Sequence, residues 1–183
     1  MGSWIAAAVP LLLAAWAVYV FNRLVRLRNQ MRSAWADIDV QLTRRHDLVP
    51  QLVTAVQAYA SHEKAVLATV TELRAQAVEQ TSPARLGEVE AALERALSRL
   101  LALQESYPDL KASENFLALQ RDLVDVEEHL QYARRFYNGA VRDYNDAVQR
   151  APDLAVARLL AFRSGEFYQA RREERAAVQV QLP

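Results

Sequence analysis

Three histidines, His46, His62 and His129, are the side chains here most suited to chemistry, and all lie on stretches with helical periodicity. In a helical bundle they would point first to a metal centre. A ferritin-like di-iron site needs two Glu-x-x-His pairs and two further inward-facing Glu residues. The residues three positions before each histidine are Thr43, Tyr59 and Val126, so neither pair is complete. The run 62-HEKAV-66 lacks the second histidine of a zinc-protease helix, and the consecutive Glu127, Glu128 and His129 splay around a helix. Each histidine is therefore read as a hydrogen-bonded surface or boundary residue. Asp37 and Asp39 stand two apart, about 200° around a helix, and cannot converge on one substrate. There is no Gly-rich phosphate loop and no recognisable triad spacing. With no Cys, thiolate chemistry, disulfides and thiolate zinc sites are excluded. The expectation is a non-enzyme with no catalytic residues, no cofactor, no metal and no evident small-molecule substrate.

The charges in 34-AWADIDVQLTRRHDLVPQLV-53 are better read as structure. Asp37 with Gln41 and Gln41 with Arg45 are i,i+4 neighbours, and Arg44 with Asp47 are i,i+3, so local partners are expected. Arg45 falls one heptad after Ile38, on or beside the apolar seam. A cation there needs a partner from another helix, because an unpaired buried charge is costly. Pro50 removes its own amide and crowds the His46 carbonyl. It either kinks a continuing helix or, with Asp47 as cap, starts a new one after a reversal. The absence of Gly or Asn for a tight reversal favours the kink. Asp39, Arg45, Asp47 and Pro50 are the structural or interaction candidates of this stretch. A second set comes from an echo in 135-RFYNGAV-141 and 142-RDYN-145, where Tyr137 and Asn138 recur one heptad on as Tyr144 and Asn145. That offset keeps each pair near one face and predicts a ladder of Tyr and Asn along a seam.

These residues must be carried by helices. Gly and Pro number four and six, strong helix formers dominate, and no strand pattern competes. Apolar positions Leu24, Leu27, Met31, Trp35, Ile38, Leu42, Val49, Leu52, Val56, Tyr59, Val66, Val70, Leu73 and Ala77 step by three, four and seven. They predict one amphipathic helix with no turn between residues 22 and 79. The first break is 80-QTSPARLG-87, where Ser82 can cap and Pro83 can open a second helix, to about residue 106. A third is expected over 114–149 and a shorter fourth over 153–162. Such stripes bury together in an antiparallel helical bundle. Lys plus Arg equals Asp plus Glu, so no net field draws the chain to nucleic acid, and 132-YARRFYN-138 is read as packing.

Residues 4–21, WIAAAVPLLLAAWAVYVF, contain no charge. Eighteen helical residues span about 27 Å, close to a hydrocarbon core of about 30 Å. Trp4 at one end and Tyr19 and Phe21 at the other suit the two interfaces. The rival is a cleaved signal peptide around Ala15-Trp16-Ala17, leaving a periplasmic bundle with a mature N-terminus near Val18. The lack of a basic region before the apolar run argues against it. Arg23, Arg26, Arg28 and Arg32 follow the run as a membrane-proximal basic group. Positive-inside reasoning then puts the N-terminus outside and the bundle in the cytoplasm, with the lipid bilayer as one partner.

The runs 22-NRLVRLRNQMRSAWADIDVQLTRRHDLVPQLV-53, 57-QAYASHE-63, 105-ESYPDLKASENFLALQ-120 and 127-EEHLQYARRFYNGAVRDYN-145, with Pro152, Phe162 and Phe167, closely resemble the LemA family of bacterial membrane proteins. They cover most of the chain in the family's order. Ala151 departs from the aromatic usual before the Pro. The resemblance implies an all-α fold in which an N-terminal transmembrane helix continues into an elongated antiparallel four-helix bundle facing the cytoplasm. It implies no catalytic residues, and it associates some relatives with magnetosome membranes. The resulting organisation is an anchor over residues 1–21, a bundle over 22–170 and a flexible tail over 171–183. The expected role is a single-pass inner-membrane scaffold or interaction module, with a protein partner or self-association. The rivals are a metal-binding or enzymatic bundle and the periplasmic bundle.

Overall fold

A computed structural model describes residues 2–168, with side chains from Ala8 onward, and the expected 171–183 tail lies outside the described residues. The described residues are helical without strands. The helices are α1 (Gly2–Gln57), α2 (Lys64–Glu79), α3 (Pro83–Ala102), the short α4 (Pro108–Lys111), α5 (Glu114–Gln149) and α6 (Asp153–Leu159). They form two packed units. One lies within Met1–Ile38 and Ala133–Glu166, the other within Asp39–Tyr132 and Phe167–Pro183.

α1 runs unbroken through Pro50, so the reversal does not occur there. The carbonyl that Pro50 leaves without its amide partner is that of His46. Arg74 of α2 donates Nε–H to this oxygen at 2.8 Å. A buried carbonyl without a partner is costly, and the contact removes that cost. Arg74→Ala is expected to destabilise the protein by about 1–2 kcal/mol through the unpaired carbonyl. Thermal unfolding beside the exposed-site variant Arg121→Ala measures it.

The chain turns instead at residues 58–63, which corrects the single helix expected over 22–79. The Val56 carbonyl accepts from both Tyr59 and Ala60, closing the helix end, and Glu63 begins α2. Neither Gly nor Pro marks this turn. The stripes before and after it happen to stay in phase, so periodicity gives no warning. Tertiary burial decides the matter. A continued helix would carry residues 58–79 about 33 Å onward. Folding back puts Leu67 and Val70 into the same core as Leu52, Val56 and Ala60. Tyr59, assigned to the apolar stripe by spacing, is exposed.

Four long helical segments thus frame the second unit, the later part of α1, α2, α3 and the first part of α5, and the short α4 adds Leu110 to their core. α2 takes the place expected of α6. Leu93, Leu97 and Leu100 of α3 meet Phe116, Leu119 and Leu123 of α5 in its core. Ser82 occupies the cap position of α3, but its side chain makes no capping hydrogen bond, and Pro83 at the first turn supplies the start signal. α3 ends at Ala102 and is continued by a 3-10 turn, Leu103–Glu105.

In the first unit, Val20 and Leu24 of α1 share a cluster with Tyr144, Ala147 and Val148 of α5 and Val156 and Ala157 of α6. α6 ends with Phe162 N–H bonded to the Ala157 carbonyl and with Ala161 at φ 53°. That left-handed backbone suits Gly better than Ala. Ala161→Gly is expected to stabilise the protein by about 1 kcal/mol, visible as a rise of the thermal midpoint.

Candidate functional site

Two groups of polar side chains are built into the helices, one in each unit. In the second unit, Arg45 lies among Ile38, Leu42, Val49 and Leu52 on the buried face of α1, and is 1% exposed. Its Nη1 donates to Glu90 Oε2 at 2.9 Å, and Nη2 meets Glu127 Oε2 at 3.0 Å. Glu90 of α3 is fully buried, and its other oxygen, Oε1, lies 2.6 Å from His46 Nε2. A carboxylate can only accept, so the histidine donates. Arg45 is thus held from α3 and α5 together, and both Glu90 oxygens are occupied. The arrangement ties three helices, α1, α3 and α5, at one level of the core.

In the first unit, Tyr137, Asn145 and Gln149 of α5 hold the extended segment after α6. Asn145 Nδ2 donates to the Gly165 carbonyl at 3.0 Å, and Gly165 N–H donates to Asn145 Oδ1 at 2.7 Å. One amide side chain therefore treats the segment as a neighbouring strand would. Tyr137 Oη donates to the Glu166 carbonyl at 2.8 Å, and Gln149 Nε2 to Ser164 Oγ at 3.1 Å. Residues 137, 145 and 149 lie within about 120° of one another around the helix, so the clasp takes one member of each expected heptad pair, while Tyr144 packs in the cluster with α1 and α6. A Cβ at position 165 would sit 2.5 Å from Met31 Sδ, so any larger residue there requires the flexible Met31 side chain to move. The Tyr137 ring packs on Trp35 at 5.2 Å between centroids. Burial pushes the Tyr137 hydroxyl pKa up, with the Glu166 charge adding to it. Burial also raises that of Tyr144, opposed by the Arg28 and Arg32 charges. Asn138 is half-buried on the same helix.

The membrane-proximal basic residues have separate fates. Arg23 pairs with Asp153, a buried acid in the first turn of α6. The Arg28 guanidinium lies over the Phe162 ring, 5.1 Å from its centroid. Arg26 and Arg32 are exposed. Before them, α1 contains a stretch long and apolar enough to cross a membrane, with Leu11, Leu12 and Leu13 largely uncovered by protein.

Asp39, Asp47 and Pro50 are exposed, and the structure does not bring them into the buried cluster. The local pairing expected for Arg44 is replaced by a cross-helix bond to Asp125 at 2.9 Å. His62 is exposed, and the exposed His129 bonds the Asp125 carbonyl one turn away. Glu90 and Arg74 are the residues that sequence reasoning missed. Glu90 had a legible signal: it lies four after Leu86, three before Leu93 and seven before Leu97, on the apolar stripe. Among the described residues, no group of three or more His, Asp or Glu is placed to hold a metal ion.

Fold and site together define an all-α helical-bundle protein with one N-terminal candidate membrane helix. The chain belongs to the LemA family, whose model matches residues 34–182. It is 26% identical over 161 residues to Protein LemA of Metamycoplasma hominis, covering 86% of this chain and 72% of that protein. Magnetosome protein MamQ 1 of Paramagnetospirillum magneticum is 22% identical over 178 residues, 81% of this chain. Magnetosome protein MamQ of Magnetospirillum gryphiswaldense is 20% identical over 174 residues, again 81% of this chain. The chain spans 64% of the length of each of these magnetosome relatives.

Proposed function

We propose that this chain is a non-enzymatic, membrane-anchored helical scaffold or protein-interaction module of the bacterial envelope. The carrying observation is that Arg45, Glu90, His46 and Glu127 bond one another across three helices, which suits holding a shape rather than turning over a substrate. The uncovered leucines of α1 support residues 1–21 as the anchor and residues 22–170 as the bundle. Relatives named for the magnetosome fit a membrane-associated role. The Arg-rich flank after the apolar run supports an N-terminus outside and a cytoplasmic bundle. Val124 and Tyr132 are large apolar residues exposed on α5 and are reasonable contact points for a protein partner or a second copy.

The test is photo-crosslinking from Val124 and Tyr132 in native membranes, with Thr69 on α2 as the reference position. A reproducible adduct from α5, absent from Thr69, is the expected result. No adduct above background from either α5 position would remove the interaction reading.

A further inference from the structure

We infer that α6 and the turn after it lie in the headgroup layer of the bilayer, as a second membrane contact beside the anchor. The inference rests on the anchoring proposed above, and two independent observations carry it.

The first is length. The uncharged run over residues 4–21 spans about 27 Å as a helix, so it needs all of its residues to cross a hydrocarbon core of about 30 Å. Yet its last turns are already packed on protein. Val20 belongs to the cluster that contains Val156 and Ala157 of α6, and Trp16 and Ala17 pack against that cluster. Phe21 meets the Phe162 ring edge-on, with centroids 6.1 Å apart. If α6 stood wholly in water, residues 4–15 alone would remain for the bilayer, about 18 Å of helix. That is too short by about 12 Å. Placing α6 in the headgroup layer with its apolar side reaching the acyl boundary reduces the mismatch, because the packed residues 16–21 then lie at that boundary and not in water.

The second observation is the outer surface of α6. A short helix on a water-facing unit should present polar residues outward. Here Leu159 is 83% exposed and Leu160 48% exposed, a pair flanked by the exposed Arg158 and Arg163. Asp153, the acid of α6, is paired with Arg23. Apolar side chains bracketed by arginines are the pattern of an interfacial segment. The leucines enter the acyl boundary, and the arginines meet lipid phosphates. The occupant of this surface is therefore the anionic leaflet that α1 enters, with Arg26 adding to the positive collar.

The chain has no native Cys, so single cysteines report position cleanly. Full-length Leu159→Cys, Leu12→Cys and Thr69→Cys proteins would carry an environment-sensitive fluorophore in vesicles of phosphatidylcholine and phosphatidylglycerol. Quenching would be read with aqueous iodide and with lipid bearing a nitroxide near the headgroup. The expected result is strong iodide quenching at position 69 and protection at 12. Position 159 should show several-fold less iodide quenching than 69, with strong quenching by the shallow nitroxide. Protection at 12 with iodide access at 159 equal to that at 69 would overturn the inference and leave the anchor standing. Access at 12 equal to that at 69 would overturn the anchor, and the inference with it.

Discussion

Glu90→Ala is expected to destabilise the protein by about 3–5 kcal/mol, because it leaves a buried arginine without its central partner. Losing hydrogen bonds alone would cost about 1–3 kcal/mol per unsatisfied group. The larger figure comes from the charge. Arg45 is 1% exposed and cannot turn out to water without unpacking α1, and Glu127 is left as its only carboxylate partner. His46 loses its acceptor in the same step. Glu90→Gln keeps the volume and an acceptor and should cost less. Joint replacement of Arg45 with Met and Glu90 with Leu should cost much less than the two single changes added, because the two fully buried charges are removed together and the half-buried Glu127 can reach water. Thermal unfolding of the full chain in detergent reads all of these, with a fall of roughly 10 °C for Glu90→Ala. A midpoint within experimental error of the parent would show that the cluster contributes little to folding.

Asn145→Leu is the second large effect, an expected loss of about 2–4 kcal/mol. Leucine is roughly isosteric and a better helix former than asparagine, so neither volume nor helix propensity accounts for a loss. What disappears is the donor and the acceptor that hold Gly165. Both backbone groups of Gly165 then need water, which they reach only if the segment after α6 lifts from α5. Limited proteolysis should therefore cut after Arg163 several-fold faster than in the parent. Tyr137→Phe removes one bond to the same segment and should cost about 1 kcal/mol. If Asn145→Leu changes neither cleavage nor melting, the Asn145 bonds contribute little to holding the segment.

How much of this was readable beforehand depended on whether the signal was local. The boundaries of α5 were, because 106-SYPDLKAS-113 precedes and Ala151-Pro152-Asp153 closes a long uninterrupted stripe. The heptad echo of Tyr and Asn was also local, but of its four residues Tyr137 and Asn145 bond the later segment while Tyr144 packs in the core. The turn at 58–63 was not readable, since no turn residue announces it and the apolar spacing passes through undisturbed. Glu90 sat on a visible stripe but reads as a surface acid until Arg45 is placed beside it. Arg74 carried no signal at all, because its partner is a backbone carbonyl freed by a proline 24 positions earlier.

Composition and periodicity by themselves determined an all-α chain with an uncharged N-terminal helix and a cation at residue 45 that needs a partner. They could do so because helix propensity, hydrophobic spacing and the cost of a buried charge act within a few turns of one chain segment. Only the tertiary structure decided where the chain folds back, which carboxylates answer Arg45, and what Tyr137 and Asn145 hold. Those outcomes turn on burial shared between segments far apart in sequence, and no local pattern encodes which of several matching faces will meet.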